Sequence, residues 1–176
     1  MKYTKNVFLK NNQKCLLRNA VGDDAQEVLN IFLLTHEQTD FLASYKDETS
    51  FDTAFEKQFL AEKEHADREV YLCAVVDGRI VGTANVDSMG ENKVRHRAEL
   101  GIAVDRAFWG VGIGRALIAA CIECAKEAGY SQLELEVVSE NGNAIALYKR
   151  MGFIEFGRNP RGFRSRFRGW QELISM

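Results

Sequence analysis

The chain has 176 residues, of which 46% are hydrophobic and 27% charged, with a formal net charge of -2. That length suits one domain spanning 1–176 with apolar side chains enough for a buried core, and the balance excludes a disordered or membrane-embedded class. Residues 1–13 carry Lys2, Lys5 and Lys10 around a brief Val7-Phe8-Leu9 run, so neither a signal peptide nor a spanning segment is expected and the expected location is cytoplasmic.

Residues 14–19 (Lys-Cys-Leu-Leu-Arg-Asn) read as a first strand, and Asp23 with Asp24 marks the start of a helix running to about Thr39. After a polar stretch at 45–49, Ser50 or Asp52 suits the N-cap of a second helix, with Phe55, Phe59 and Ala66 on related faces and an end before Val70. Residues 70–76 and 79–86 are strand-like and flank Asp77-Gly78, a two-residue hairpin signal. A loop at 88–93 leads to a fourth strand over 97–104, which puts Leu100, Ile102 and Val104 on one face and Glu99 on the other. A helix over about 112–128 follows, closed by Gly129. Residues 132–138 read as a fifth strand, 143–151 as a short helix stopped by Gly152, and 153–157 and 167–175 as two closing strands. Strands and helices in this order predict a mixed α/β sheet.

Cys15 and Cys73 fall on predicted strands and Cys121 and Cys124 inside the long helix, so all four read as reduced, buried apolar residues. A redox or zinc pair at Cys121 and Cys124 would need a helix N-terminus or a second ligand pair, and the sequence offers neither. His36, His65 and His96 are scattered without ligand spacing, and no metal is expected. Charge is uneven along the chain. Residues 21–69 hold 13 acidic against 4 basic side chains, whereas 141–170 hold 7 basic against the single acid Glu155. Such polarity either selects what approaches each face or marks two solvated surfaces.

The run Trp109-Gly110-Val111-Gly112-Ile113-Gly114-Arg115 joins a strand to a helix. Glycines there leave N–H groups uncovered at the positive end of a helix, an arrangement that binds anionic oxygens. A P-loop requires Gly-Lys-Ser/Thr, but Gly114 is followed by Arg115 and Ala116; a dinucleotide G-x-G-x-x-G fails in both frames, at Arg115 and at Leu117.

The run resembles the signature of the GNAT acyltransferase superfamily, with Gly112 and Gly114 in the glycine slots and Trp109 where the family carries Arg or Gln. A second family motif is matched by Asn141-Gly-Asn-Ala144-Ile-Ala-Leu147-Tyr148-Lys-Arg-Met-Gly152-Phe153. The C-terminal pattern is similar to the branch of ribosomal-protein N-terminal and amino-acid acetyltransferases. The resemblance implies a GNAT fold, a twisted mixed sheet of about six to seven strands with helices on both faces and a cleft where strands 4 and 5 splay. It implies acetyl-CoA as cosubstrate, held by the backbone of Ile102 and Val104, by Trp109, Gly110, Val111, Gly112, Gly114 and Arg115, and by Asn141 and Asn143, whose alternative role is turn and helix-cap chemistry.

It further implies acetyl transfer to a primary amine of a small molecule, an amino acid or a peptide N-terminus, by direct attack in a ternary complex. Tyr148 would protonate or hydrogen-bond the departing thiolate; otherwise it is a core aromatic. An ammonium has no lone pair, so a base is needed, and Glu99 on the cofactor strand is the candidate, acting through a water or instead pairing with Arg97; His96 is a weaker one. Arg158, Arg161, Arg164, Arg166 and Arg168, interleaved with Phe163 and Phe167, fit a solvated hairpin beside the cleft or contact with an anionic substrate group better than nucleic acid. An acyl-CoA sensor without turnover is the alternative function, and a homodimer is left open.

Overall fold

A computed structural model describes residues 1–48, 50 and 52–176; Thr49, the end of the predicted polar stretch, and Phe51 lie outside the described residues. The strands are β1 (Thr4–Phe8), β2 (Lys14–Asn19), β3 (Val70–Val76), β4 (Arg79–Ser88), β5 (Arg97–Val104), β6 (Gln132–Glu134), β7 (Glu136–Val138), β8 (Gly157–Ser165) and β9 (Gly169–Ser175). The helices are α1 (Ala25–Gln38), α2 (Thr53–His65), α3 (Ile113–Glu127) and α4 (Gly142–Arg150). The first six strands form one sheet in chain order, antiparallel except for the parallel β5·β6 pair, and β7, β9 and β8 form a second in that order.

Local chemistry sets the element ends. Asp77 and Gly78 both have positive φ, 49° and 80°, the type I′ geometry that the twist of two flanking strands selects. Asp52, not Ser50, caps α2, its carboxylate accepting from the N–H groups of Ala54 and Phe55, each at 3.0 Å.

The strand alternation separates two apolar layers. Leu72, Ala84 and Leu100 face α3, which buries Ile113, Leu117, Ile118, Cys121 and Cys124 against them at helical spacing. Burying each Leu or Ile there contributes about 1.5–3 kcal/mol. On the opposite face Val28 and Ile31 of α1 and Leu60 of α2 pack with Cys73 and Ile80. All four cysteines are free and buried, as core residues.

Three expectations are corrected. The chain opens with a strand that no alternation announces, because β1 is an exposed edge paired only to β2. The predicted strand over 132–138 divides at Leu135 into β6 and β7, which belong to different sheets. The predicted strand over 153–157 is irregular until Gly157: Phe153 is anchored in the core, while Ile154 and Phe156 are exposed. The strand instead covers 157–165. Pro160, which cannot donate to a ladder, falls within its irregular stretch on the edge of the second sheet.

Candidate active site

The division at Leu135 opens the site. β6 follows β5 only through Arg97↔Gln132, Ala98↔Leu133 and Glu99↔Glu134. Leu135 then exchanges two 2.9 Å hydrogen bonds with Met176, and the chain continues beside β9. Beyond Glu99, β5 has a neighbour on its β4 side alone. Residues of a strand point their polar groups alternately to either side. Asp105 N–H donates to Val81 on the β4 side, whereas the His96 carbonyl accepts from Ser131 and Gln132 on the other. The N–H and C=O of Ile102 and the N–H of Val104 therefore face the gap, an unpaired edge that an extended, amide-bearing ligand would satisfy.

The Gly-rich run stands at the end of this gap. Gly110 and Gly112 take φ of 80° and 108°, and a Cβ added at either would meet open space rather than protein. Their glycine requirement lies in the backbone, since an L side chain is strained at such φ. The N–H groups of Gly110, Val111, Gly112, Ile113, Gly114 and Arg115 donate to no group among the described residues. Consecutive free donors at the start of a 15-residue helix form a cradle for anionic oxygens. Arg115 is exposed beside them. Gly114 has another role: a Cβ there would lie 3.3 Å from Leu147, so its bare backbone lets α4 pack close to α3.

Trp109 turns its donors inward. Its indole N–H donates to the Val104 carbonyl at 2.7 Å and its backbone N–H to Arg106 at 3.1 Å. Both donors are spent inside the chain, which leaves the residue to stopper the end of the gap while its ring stays 48% exposed. The loop is tied down from two more sides. The Val111 carbonyl accepts from Lys10, and Gln38 at the end of α1 donates to Asp105 while accepting from the Arg106 N–H, both at 2.8 Å. Asp105 is a strand-end cap that the sequence displays, accepting from Ala107 N–H at 3.1 Å. Gln38, 67 residues earlier, carries no local signal of its role.

Asn141 is the N-cap of α4, its side chain accepting from Ala144 N–H at 3.3 Å, so the cap role accounts for its carbonyl oxygen. Asn143 is exposed in the first turn of α4 with no hydrogen bond from its side chain among the described residues. Tyr148 follows Leu147 on α4, 8% exposed and edge-on to Phe153 at 6.0 Å. Its hydroxyl has no hydrogen-bond partner, and it is not sealed: among the described residues the one fully occluded, unpartnered side-chain polar atom is the Tyr130 hydroxyl. Burial pushes the Tyr148 phenol up to about 12, so it holds its proton at neutral pH and is a donor.

Glu99 sits where β5 loses β6, exposed and with no side-chain hydrogen bond or ion pair among the described residues. It does not pair with Arg97, whose guanidinium grips Glu134 in a bidentate bridge. Although the residue is exposed, partial desolvation of its carboxyl raises its pKa, and the nearby carboxylates of Glu136, Asp87 and Glu134 raise it further. The same field attracts a cation. His96 shares only its backbone carbonyl with Ser131 and Gln132. No group of three or more residues suited to hold a metal exists among the described residues.

The arginine hairpin is not free to meet a substrate along most of its length. Arg166 pairs with Asp47 at 2.7 Å, stacks on Tyr45 at 4.2 Å and donates its backbone N–H to the Tyr45 hydroxyl oxygen. Ser165 donates to Asp40 at 2.6 Å, and Arg158 binds Glu155 and Glu172. The acidic and basic stretches of the sequence thus neutralise each other across the α1–α2 loop. Arg161 and Arg164 alone of the five lack an ion pair among the described residues, and both lie 5.4 Å from the Trp170 ring.

A sheet splayed beside one strand, with free N–H groups at the end of the opening, defines the class: an α/β protein whose open strand edge suits a long anionic ligand. The model described as "Acetyltransferase (GNAT) family" matches residues 30–153, and the chain belongs to that family. The chain is 31% identical over 152 residues to an uncharacterised N-acetyltransferase of Methanocaldococcus jannaschii, covering 79% of this chain and 60% of that one. It resembles the crystal structure of a GNAT-family acetyltransferase from Streptococcus pneumoniae at 28% identity and TM-score 0.88, over 92% and 97% of the two chains. A ribosomal-protein-alanine N-acetyltransferase from Brucella melitensis aligns at 30% identity and TM-score 0.80, over 91% and 96%. The chain spans between 24% and 60% of the length of the first curated relatives it matches. No helix among the described residues is long and apolar enough to cross a membrane.

Proposed function

We propose that this chain transfers the acetyl group of acetyl-CoA to a primary amine by direct attack in a ternary complex. The observation that carries the reading is the continuity of the open β5 edge with the free N–H groups of 110–115. One side of a single groove offers amide-pairing groups and its end offers phosphate donors, the order in which CoA presents its pantetheine amides and pyrophosphate. Acetyl-CoA supplies the activated acyl carbon; the remaining work falls to side chains. Ile102 and Val104 align the arm, the backbone of 110–115 holds the pyrophosphate, Arg115 adds positive charge, and Asn143 offers an amide at the groove mouth.

Tyr148 donates a hydrogen bond to the departing sulfur. A phenol near 12 facing a thiol of ordinary pKa about 8.5 would give up its proton uphill, so the hydroxyl stabilises the thiolate by hydrogen bonding rather than by full transfer. Glu99, whose raised pKa makes it a better proton acceptor than an ordinary surface carboxylate, takes the amine proton directly or through a water. No cysteine is placed for a covalent intermediate: Cys121 and Cys124 are buried and burial pushes both thiols up. The test is thiol release from acetyl-CoA with a panel of amines. Release that depends on the amine, with a product heavier by one acetyl group, is expected; calorimetric binding of acetyl-CoA without thiol release would replace the enzyme with a sensor.

A further inference from the structure

At helical spacing α2 lays Glu56, Phe59 and Lys63 over the face of the sheet that carries Tyr71, Thr83, Asn85, Asp87 and Glu99. Lys63 is spent on Glu69 at 2.5 Å and Asp87 at 2.7 Å, and Phe59 meets the Tyr71 ring edge-on at 5.8 Å. Glu56 has no such partner. It is 7% exposed, and its carboxylate makes no hydrogen bond or ion pair among the described residues, yet its oxygens are not fully occluded. Its charge is felt at Tyr71, as is that of Asp87. A buried carboxylate without a cation costs folding free energy, and an apolar side chain would pack α2 onto β3 without that cost. An unpartnered carboxylate beside aromatic rings, with oxygens not fully occluded, is the chemistry that receives an ammonium.

The register fixes how far this carboxylate stands from the reacting centre. Tyr71 lies opposite Asn85, and Asn85 opposite Gly101, where a Cβ would collide with the Asn85 amide. Two strand spacings, about 10 Å, therefore separate the strand beneath Glu56 from the strand that carries Glu99. Between them the face carries Asp87, already neutralised by Lys63, and no unpaired cation among the described residues.

We propose that the acceptor is a linear dicationic amine, a diamine or a segment of a polyamine, whose distal ammonium sits on Glu56 beside the Phe59–Tyr71 pair while its reacting amine lies at Glu99. This rests on the acetyl-transfer reading above, but it is tested without turnover. The protein saturated with CoA is titrated calorimetrically with 1,6-diaminohexane and with n-hexylamine. The wild type binds the diamine roughly 10- to 100-fold more tightly, the range of one charge-assisted hydrogen bond.

In Glu56→Gln the diamine falls to the level of the monoamine, whose own affinity is unchanged. Glu56→Asp, which withdraws the carboxylate by one methylene, moves the preferred diamine to a longer chain. Equal binding of the two ligands by the wild type, or discrimination retained in Glu56→Gln, would overturn the site. Acetyl transfer to amines without diamine preference defeats this proposal alone. Diamine discrimination in a chain that never releases thiol defeats the proposed activity and leaves the cation site standing.

Discussion

Replacing Tyr148 with Phe removes one oxygen from the centre of the site, and the structure separates what that oxygen does for the fold from what it does for the reaction. The ring packs edge-on against Phe153 and is retained in the variant. The hydroxyl bonds to nothing among the described residues, so its loss orphans no partner there, and the stability of the free protein changes by no more than about 0.5 kcal/mol. Acetyl-CoA affinity is likewise expected to hold, since the cradle and the β5 edge are backbone. In the proposed reaction the variant loses a donor to developing negative charge. Removing one such donor costs about 2.7–4 kcal/mol, or 10²- to 10³-fold in kcat. Thermal melting, calorimetry with acetyl-CoA and steady-state thiol release measure the three quantities on one preparation. A kcat equal to the wild type would refute the role, and a large drop in melting temperature with it would make Tyr148 a core residue.

Glu99→Gln is expected to abolish the acidic limb of the kcat/KM profile with pH. Its sign for stability is opposite: Glu99 has a raised pKa in the fold, so its contribution is complete below the ordinary carboxylate value of about 4.3 and is lost as pH rises through the raised one. The variant should therefore melt higher than the wild type at neutral pH, with the gap closing toward acid; a constant gap would contradict the shift. Gly112→Ala and Gly129→Ala both place a side chain at positive φ, 108° and 77°, and each should cost about 1–3 kcal/mol by denaturant melting. Only Gly112→Ala should weaken acetyl-CoA binding, and equal affinity in the two would detach the cradle from the cofactor. Gly114→Val, which drives a branched side chain into Leu147, should displace α4 and lower kcat more than it lowers acetyl-CoA affinity, a split that steady-state kinetics reads.

Much of this architecture was legible in short-range pattern. The bounds of β5, the positive-φ glycine that starts α3, the hairpin at Asp77-Gly78 and the cap at Asn141 are each written in a few adjacent residues. What the sequence hides is decided by partners far along the chain. The opening beside β5 arises because Met176 draws Leu135 away from β5, and the unbroken strand alternation from Gln132 to Val137 cannot show that pull. The destination of Arg166 depends on carboxylates about 120 residues earlier, so a basic hairpin that looked available proves largely occupied. Trp109 kept its position in the motif while its donors turned inward to Val104 and Arg106, a change of role that residue identity alone does not reveal. Glu56 gave no signal, because a helix that buries a carboxylate has the same spacing as one that exposes it.

The central claim is that the gap beside β5 and the N–H groups of 110–115 hold a thioester donor for attack by an amine. The most direct measurement is thiol release from acetyl-CoA, with the product weighed by mass spectrometry, in the presence and absence of each amine. Thiol released in equal amount to an acetylated amine, and none without the amine, is the expected result. Tight binding of acetyl-CoA with no amine-dependent thiol across the whole panel would contradict it.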